Sequence, residues 1–162
     1  MERIYAPWRY SYVSDEKIPD CVFCHIAKNK DDEKYEVLFS DEFCYVVMNK
    51  YPYSPGHIMV IPYFHTSNLE DLDEESWHRV SKRAQQAVKL LKETMPCEGV
   101  NLGMNLGRAS GAGIEQHIHY HLVPRWIGDT NFITTVGETR VYPADFNEIY
   151  LKLKNNTEKY FL

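Results

Sequence analysis

The chain has 162 residues, with 18 lysines and arginines against 23 aspartates and glutamates, so its formal net charge is −5. A chain of this length suits one domain, since domains cluster near ~100–150 residues, and we expect a single domain over residues 1–162. Its 44% hydrophobic and 25% charged residues are typical of a globular protein and exclude a largely disordered one. The negative charge argues against a nucleic-acid partner, because coating nucleic acid needs a basic surface.

Targeting and membrane signals are not visible in the sequence. The longest apolar runs, such as 43–48 and 58–62, fall far short of the ~20 residues that cross a bilayer. The N-terminal stretch has no apolar core of an export signal. We therefore expect a cytoplasmic protein with no membrane partner, whose four cysteines are not a disulfide framework.

The first half of the sequence predicts three short strands. Runs rich in β-forming residues at 36–39, 43–49 and 57–62 are separated by turn-forming residues at 40–42 and 51–56. Connections of this length predict an antiparallel meander.

A long helix is predicted after the third strand. Apolar residues recur at three- and four-residue steps from Trp77 to Met95, and charged residues fill the other faces. Asp71 and Glu74 resemble a capping box at its start, and Pro96 predicts its end. The apolar stripe indicates packing against the sheet.

Two more strands and a second helix complete the predicted fold. The run 100–105 alternates apolar residues with Asn and Gly, and the run 117–124 places a histidine at every second position at its start. Alternate residues of a strand share one face, so the three histidines face the same way. A shorter helix is predicted at about 143–155. The prediction is an α+β fold: an antiparallel sheet of about five strands with a long helix and a C-terminal helix, the helices on one side.

The strongest functional signal is the row of His117, His119 and His121. A buried imidazole needs a polar partner and costs more than an apolar residue, so three on one face indicate a site. The glycine-rich loop 105–113 lies just upstream, and its small residues let backbone N–H groups approach an anion. Neutral imidazole is a nucleophile and a proton carrier, which favours phosphoryl or nucleotidyl transfer. A zinc ion held by all three histidines is the competing interpretation.

These residues resemble a known family. The run HIHYHLV at 117–123 matches the pattern His-φ-His-φ-His-φ-φ, where φ is apolar, of the histidine triad superfamily of nucleotide hydrolases and transferases. Segments 49–50 and 55–62 look like the first nucleotide-binding segment of that family. Further segments resemble one bacterial branch, the diadenosine tetraphosphate phosphorylases and hydrolases: 6–9, 21–24, 105–113, 124–126 and 128–132.

The resemblance implies a mechanism and a homodimer acting on a nucleotide substrate. His119 would attack the α-phosphorus and carry a nucleotidyl intermediate. His121 would hydrogen-bond a phosphoryl or bridging oxygen, and His57 would support the histidine network. Asn105 would orient the phosphate chain. Water or phosphate could each accept the nucleotide from this intermediate, so both hydrolysis and phosphorolysis stay open.

The resemblance also implies four nucleotide-binding positions. Asn49 would meet the ribose hydroxyls, and Met59 would help to line the base pocket. Gly113 and Ile114 would offer backbone amides to the phosphates. The sugar-1-phosphate nucleotidyltransferase branch has glutamine at the third triad position, and His121 here argues against that branch.

Cys21 and Cys24 form a C-x-x-C pair that is followed by His25. Haem attachment to such a sequence would need export, and a thioredoxin-like redox pair would need a βαβ context. The resemblance implies instead a structural Cys₂His₂ zinc site made of this pair with His65 and His117. An unmetallated pair is the alternative.

Three alternatives to a dinucleoside polyphosphate phosphorylase or hydrolase remain. The first is hydrolysis of nucleoside phosphoramidates by the same machinery. The second is a metalloenzyme with zinc on all three triad histidines. The third is a nucleotide-binding regulatory protein with little turnover.

Overall fold

A five-stranded antiparallel sheet organises residues 21–29, 31–139 and 141–162, which are the residues that the computed structural model describes. The predicted α+β fold is confirmed. Segment 6–9, which carries part of the resemblance, lies outside the described residues. The strands follow the order β1-β2-β3-β5-β4 and have these bounds: β1 Val37–Ser40, β2 Cys44–Met48, β3 Ile58–Pro62, β4 Gly99–Gly103 and β5 Tyr120–Arg125.

Strand β5 lies between β3 and β4, and its residues His121 and Leu122 are paired with both neighbours. His121 on β5 is opposite Met59 on β3 and opposite Gly103 on β4. Directly opposed residues of antiparallel strands lie on the same face of a sheet. Met59 and Gly103 therefore flank His121 on one face.

The described part of the chain has four α-helices: α1 Val22–Asn29, α2 Glu74–Thr94, α3 Phe132–Val136, which has no buried residue, and α4 Phe146–Lys154. The buried residues of α2 and α4 form one apolar cluster with one face of the strands. None of these helices combines the length and the apolarity that a bilayer crossing requires.

Helix α1 packs on the opposite face of the sheet from α2 and α4. Its Phe23 is buried in a second cluster with Tyr45 and Val47 of β2. The Tyr45 hydroxyl donates to the Phe23 carbonyl oxygen at 2.9 Å and ties the helix to the sheet. The two predicted helices, α2 and α4, lie on one side as predicted, and α1 adds a helix on the other side. This helix of eight residues was not predicted, because its apolar stripe is too short to show a clear period.

The start of α2 differs from the predicted capping box. Asp73 is the N-cap residue, and its carboxylate accepts the Ser76 N–H at 2.8 Å. Asp71 instead accepts the Thr66 hydroxyl at 2.7 Å in the turn before the helix. The helix ends at Thr94 as Pro96 predicts.

Strand β5 begins three residues after the predicted start at 117. Its pairing with β3 ends at Tyr120 opposite Val60. The preceding segment is held by the chain that follows β3, since the Ile118 N–H donates to the Thr66 carbonyl at 2.8 Å. His117 and His119 therefore lie just before the strand. Their orientation depends on individual hydrogen bonds, such as that of Ile118 to Thr66, and not on regular strand pairing.

Candidate functional site

His119 is buried, with 5% of its surface exposed, and one hydrogen bond defines its protonation. Its Nδ1 lies 2.8 Å from the carbonyl oxygen of His117. A carbonyl oxygen only accepts, so Nδ1 carries the proton and Nε2 keeps its lone pair. Burial lowers the pKa of His119, against the opposing effect of that hydrogen bond. His119 is thus a neutral imidazole with an available nucleophilic nitrogen.

The imidazole of His119 contacts two other rings. The ring of Phe23 on α1 lies 4.8 Å from it, measured between centroids, with the planes at 60°. The ring of His121 lies 4.7 Å from it at 71°. Phe23 therefore takes part in the site, although it is a common apolar residue that no sequence pattern marked.

A chain of hydrogen bonds assigns the protons of His57 and His121. The backbone N–H of Tyr53 donates to Nδ1 of His57 at 3.1 Å, so the proton of His57 is on Nε2. That Nε2 lies 3.0 Å from Nδ1 of His121 and donates to it. Nδ1 of His121 is therefore the acceptor, and its Nε2 carries a proton. His121 can offer this N–H to a ligand.

Burial keeps the two rings of this chain neutral. It lowers the pKa of His57 to about 3, with His121 and His119 adding to the effect. Burial also lowers the pKa of His121 to about 4, with a further contribution from His119. Nδ1 of His57 and Nδ1 of His121 each accept a hydrogen bond, so neither nitrogen can carry a proton and both rings must be neutral. With these pKa values both rings are neutral at pH 7.

The predicted base-pocket residue Met59 is buried on the α1 side of the sheet. Ile114 packs against the same apolar cluster, which also contains Phe23. Gly113 precedes it, and a Cβ added there would find no heavy atom within 4 Å. The structure thus brings Met59, Phe23 and Ile114 to one apolar region beside His119, with open space at Gly113.

The two predicted asparagines lie near different histidines of the network, Asn49 near His57 and Asn105 near His121. Asn49 accepts the Tyr51 N–H through Oδ1 at 2.9 Å, and its Nδ2 lies 3.4 Å from Nδ1 of His57. Its contact with ribose stays a prediction. Asn105 is half-buried after β4 and lines a cavity together with His121.

The four residues predicted to hold metal come together. One ligand atom from each of Cys21, Cys24, His65 and His117 lies within 4.8 Å of all the others. Nδ1 of His117 is 3.4 Å from the Cys21 sulfur, 3.6 Å from the Cys24 sulfur and 3.3 Å from Nδ1 of His65. Tetrahedral zinc, with Zn–S near 2.3 Å and Zn–N near 2.0–2.1 Å, separates its ligand atoms by roughly 3.3–3.8 Å. The donor set fits zinc.

Hydrogen bonding also prepares His117 as a ligand. Its Nε2 lies 2.8 Å from the carbonyl oxygen of Pro62 and therefore donates to it. The lone pair is left on Nδ1, which faces the cysteine sulfurs. Zinc on all three triad histidines fits poorly, because Nδ1 of His117 faces the cysteine sulfurs and His121, which accepts from His57 through Nδ1, has a protonated Nε2 without a lone pair.

Comparison with known proteins gives the family. The model of the HIT domain matches residues 30–126 of the chain. The chain belongs to the HIT domain family. The resemblance to the histidine triad superfamily is thereby confirmed. An AP-4-A phosphorylase from Mycobacterium tuberculosis is 36% identical over 152 residues, which cover 88% of this chain and 77% of that protein.

Solved structures of other histidine triad proteins share the fold. A zinc-bound histidine triad family protein from Mycobacterium smegmatis has a TM-score of 0.71 and 28% identity, covering 86% of this chain and 94% of that one. A hypothetical histidine triad nucleotide-binding protein from Sulfolobus tokodaii strain7 has a TM-score of 0.70 and 27% identity, covering 86% and 93%. Both matches support the same sheet and helix arrangement.

Proposed function

We propose that this HIT protein cleaves a dinucleoside polyphosphate of the diadenosine tetraphosphate type through a nucleotidyl-histidine intermediate. The observation that carries the proposal is the pairing of His119, which has a free Nε2, with His121, which has a protonated Nε2. A nucleophile next to a hydrogen-bond donor suits displacement at phosphorus. The relative named AP-4-A phosphorylase supports the substrate class.

In the first step Nε2 of His119 attacks the α-phosphorus of the substrate. A P–N bond forms and the P–O bond to the rest of the polyphosphate breaks, so the electron pair leaves on that oxygen and ATP departs. His121 donates its Nε2–H to the phosphoryl or bridging oxygen and stabilises its developing charge. The imidazole of His119 becomes cationic in the intermediate, which strengthens the bond from its Nδ1–H to the His117 carbonyl.

In the second step an oxygen of water or of inorganic phosphate attacks the same phosphorus. The P–N bond breaks and its electron pair returns to Nε2 of His119. Water loses a proton to the solvent and yields AMP, whereas phosphate yields ADP. Both acceptors regenerate the same neutral imidazole.

The phosphate chain is proposed to be held by neutral groups. Asn105 offers an amide, and Gly113 and Ile114 offer backbone N–H groups beside the histidines. Local donors of this kind bind an anion without a basic surface, which is consistent with a chain of net charge −5.

We also propose a structural zinc ion held by Cys21, Cys24, His65 and His117. When bound, it would supply a fixed tetrahedral link and no reactive water, because four protein ligands fill its coordination. Cys21 and Cys24 stand at the start of α1, and His117 stands just before β5. Their shared coordination would fix α1, and with it Phe23, against the histidine row.

Four broader properties remain proposals. We expect a homodimer, a cytoplasmic location, one domain over residues 1–162, and neither nucleic acid nor membrane as a partner. Analytical ultracentrifugation tests the dimer directly.

Product analysis on diadenosine tetraphosphate, with and without phosphate, tests the reaction. ADP with ATP indicates phosphorolysis, and AMP with ATP indicates hydrolysis. A nucleotidyl adduct trapped on His119 distinguishes the enzyme from a regulatory binding protein. Turnover of nucleoside phosphoramidates alone would contradict the proposed substrate class.

A further inference from the structure

The cavity that Asn105 and His121 line lies at the end of β4. It has a volume of about 220 Å³ and is lined by Tyr53, Asn101, Gly103, Asn105, His121 and Val123 among others. His121 belongs both to this cavity and to the histidine row. A ligand that accepts a hydrogen bond from His121 can therefore extend directly into the cavity.

Strand β4 leaves this cavity open. Gly103 and Asn101 are opposite His121 and Val123 of β5, so all four lie on the face that carries the histidines. A Cβ added to Gly103 would meet no heavy atom within 4 Å. The buried cluster under α1 draws its strand residues from β1, β2 and β3, so α1 packs over a different part of the described sheet.

The lining of the cavity is uncharged, and it combines the apolar side chains of Leu102, Met104 and Val123 with the amides of Asn101 and Asn105. His121 is neutral at pH 7, since burial lowers its pKa to about 4. Arg125 lies nearby on the same face, but Asp129 pairs with it at 2.6 Å. A second nitrogen of Arg125 donates to Oδ1 of Asn101 at 2.8 Å and orients that amide. Apolar side chains beside the Asn101 amide suit the base of a nucleoside.

Tyr53 supplies an aromatic wall. The residue is 53% exposed, and its ring lies 5.7 Å from the ring of His121, between centroids, at 31°. An exposed aromatic face next to amide groups is a common platform for a nucleobase. The rings of Phe23, His119, His121 and Tyr53 follow one another across the site.

We propose that this cavity is the subsite for the nucleoside of the leaving group. This inference rests on the proposed function and deepens it. The nucleotide transferred to His119 lies on the α1 side, next to Phe23 and Met59. The departing polyphosphate passes His121, and its own nucleoside occupies the cavity between Tyr53 and Asn101. The site thus recognises both ends of a dinucleoside polyphosphate.

The test compares two ligands that differ only in the second nucleoside. They are diadenosine tetraphosphate and the δ-methyl ester of adenosine tetraphosphate, which has the same polyphosphate charge. Binding is measured by calorimetry in a His119→Ala background, so that neither ligand is cleaved. We expect the dinucleoside to bind about tenfold more tightly, which is the size of one base stacked on an aromatic ring.

Gly103→Val fills the cavity, and Gly99→Val is its matched control on the same face of β4. A Cβ at Gly99 meets only the Arg125 Cβ, at 3.8 Å. We expect Gly103→Val to abolish the tenfold advantage of the dinucleoside and Gly99→Val to keep it. Tyr53→Leu is a second variant that removes the aromatic wall and keeps the backbone N–H bonded to His57. It should also abolish the advantage.

The results distinguish three cases: failure of the subsite alone, failure of the reaction alone, and failure of both. The subsite is overturned if the two ligands bind equally well to the His119→Ala protein. It is also overturned if the tighter binding of diadenosine tetraphosphate persists in both Gly103→Val and Tyr53→Leu. An equal loss of affinity for both ligands in both variants overturns it as well. If neither ligand binds, the proposed function is overturned together with the subsite. If the advantage is present but the wild-type protein turns over no diadenosine tetraphosphate, the reaction fails and the subsite stands.

Discussion

The carbonyl oxygen of His117 accepts the Nδ1–H of His119 at 2.8 Å, while the imidazole of the same His117 faces two cysteine sulfurs at 3.4 and 3.6 Å. His117 therefore contributes its side chain to the candidate metal cluster and its carbonyl oxygen to the hydrogen bond that orients His119, the proposed nucleophile. Its side chain sets the position of its backbone, and its backbone sets the orientation of His119. The candidate metal cluster and the proposed nucleophile are thus physically linked through this residue.

His119→Ala tests the nucleophile. We expect turnover of diadenosine tetraphosphate to fall by at least about 10⁴-fold, because the variant cannot form the nucleotidyl intermediate. The melting temperature should show that the fold persists. His78→Ala, at an exposed position on α2, is the matched control and should keep full activity. Normal turnover by His119→Ala would remove His119 from the reaction.

Cys21→Ser tests the metal cluster. We expect the wild-type protein to carry one zinc ion per chain, measured by plasma emission spectrometry, and Cys21→Ser to lose it. The variant should also melt at a lower temperature, since metal binding adds to folding free energy. Cys97→Ser, at a buried cysteine outside the cluster, should keep the metal, as should His119→Ala. Zinc lost from His119→Ala but kept by Cys21→Ser would instead support the triad as the metal site.

Loss of the metal should also reduce activity. Without zinc, α1 and the segment before β5 lose their link, so Phe23 and the His117 carbonyl hold His119 less firmly. We expect kcat of Cys21→Ser to fall by about 10-fold to 100-fold, the range seen when a supporting residue of a site is lost. Steady-state kinetics of the purified variant measure this. Unchanged kcat in protein shown to lack zinc would mean that the two sites are independent.

The proton positions in the histidine chain can be observed directly. ¹⁵N NMR of the imidazoles should show His119 protonated on Nδ1 and His121 protonated on Nε2. His57→Ala removes the group that fixes the tautomer of His121, so we expect its Nδ1–H form to appear. The kcat should fall more than the KM changes, because the lost bond acts mainly on the leaving group. A single unchanged tautomer of His121 in the variant would contradict the chain.

Stability should fall in mild acid because of His57 and His121. Their pKa values in the folded protein are about 3 and about 4, below the value of ~6.5 for an unfolded chain. Above pH 6.5 both states are neutral and these groups have no effect. Below it the unfolded state takes up protons first, so each histidine lowers the unfolding free energy by up to about 1.4 kcal/mol per pH unit.

Urea denaturation at pH 7, 6 and 5 measures this loss. His57→Gln removes one histidine with a lowered pKa, so its stability should fall less steeply with pH than that of the wild-type protein. The control is His78→Gln on the exposed face of α2, which should keep the wild-type slope. Parallel slopes for the wild-type protein and His57→Gln would mean that His57 does not resist protonation in the fold.

Periodicity and spacing predicted the sheet, the long helix and the histidine row. These features are local, since alternate residues of a strand face one way whatever lies around them. The contributions of Phe23 and Tyr53 were not predictable from the same signals. Phe23 acts through an apolar ring brought in by a short helix, and Tyr53 acts through its backbone N–H, which every residue except proline has. The late start of β5 likewise depends on the backbone of Thr66, which is distant in sequence.

The four cysteines differ in reactivity, which allows metal binding by the Cys21, Cys24, His65 and His117 cluster to be measured. Burial raises the pKa of the Cys44 thiol to about 12 and also raises that of Cys97. Both are therefore protonated and shielded at neutral pH and resist alkylation. A maleimide should accordingly label the half-exposed Cys24 once the proposed zinc ion has been removed. The extent of labelling of the wild-type protein therefore measures how much of it carries metal.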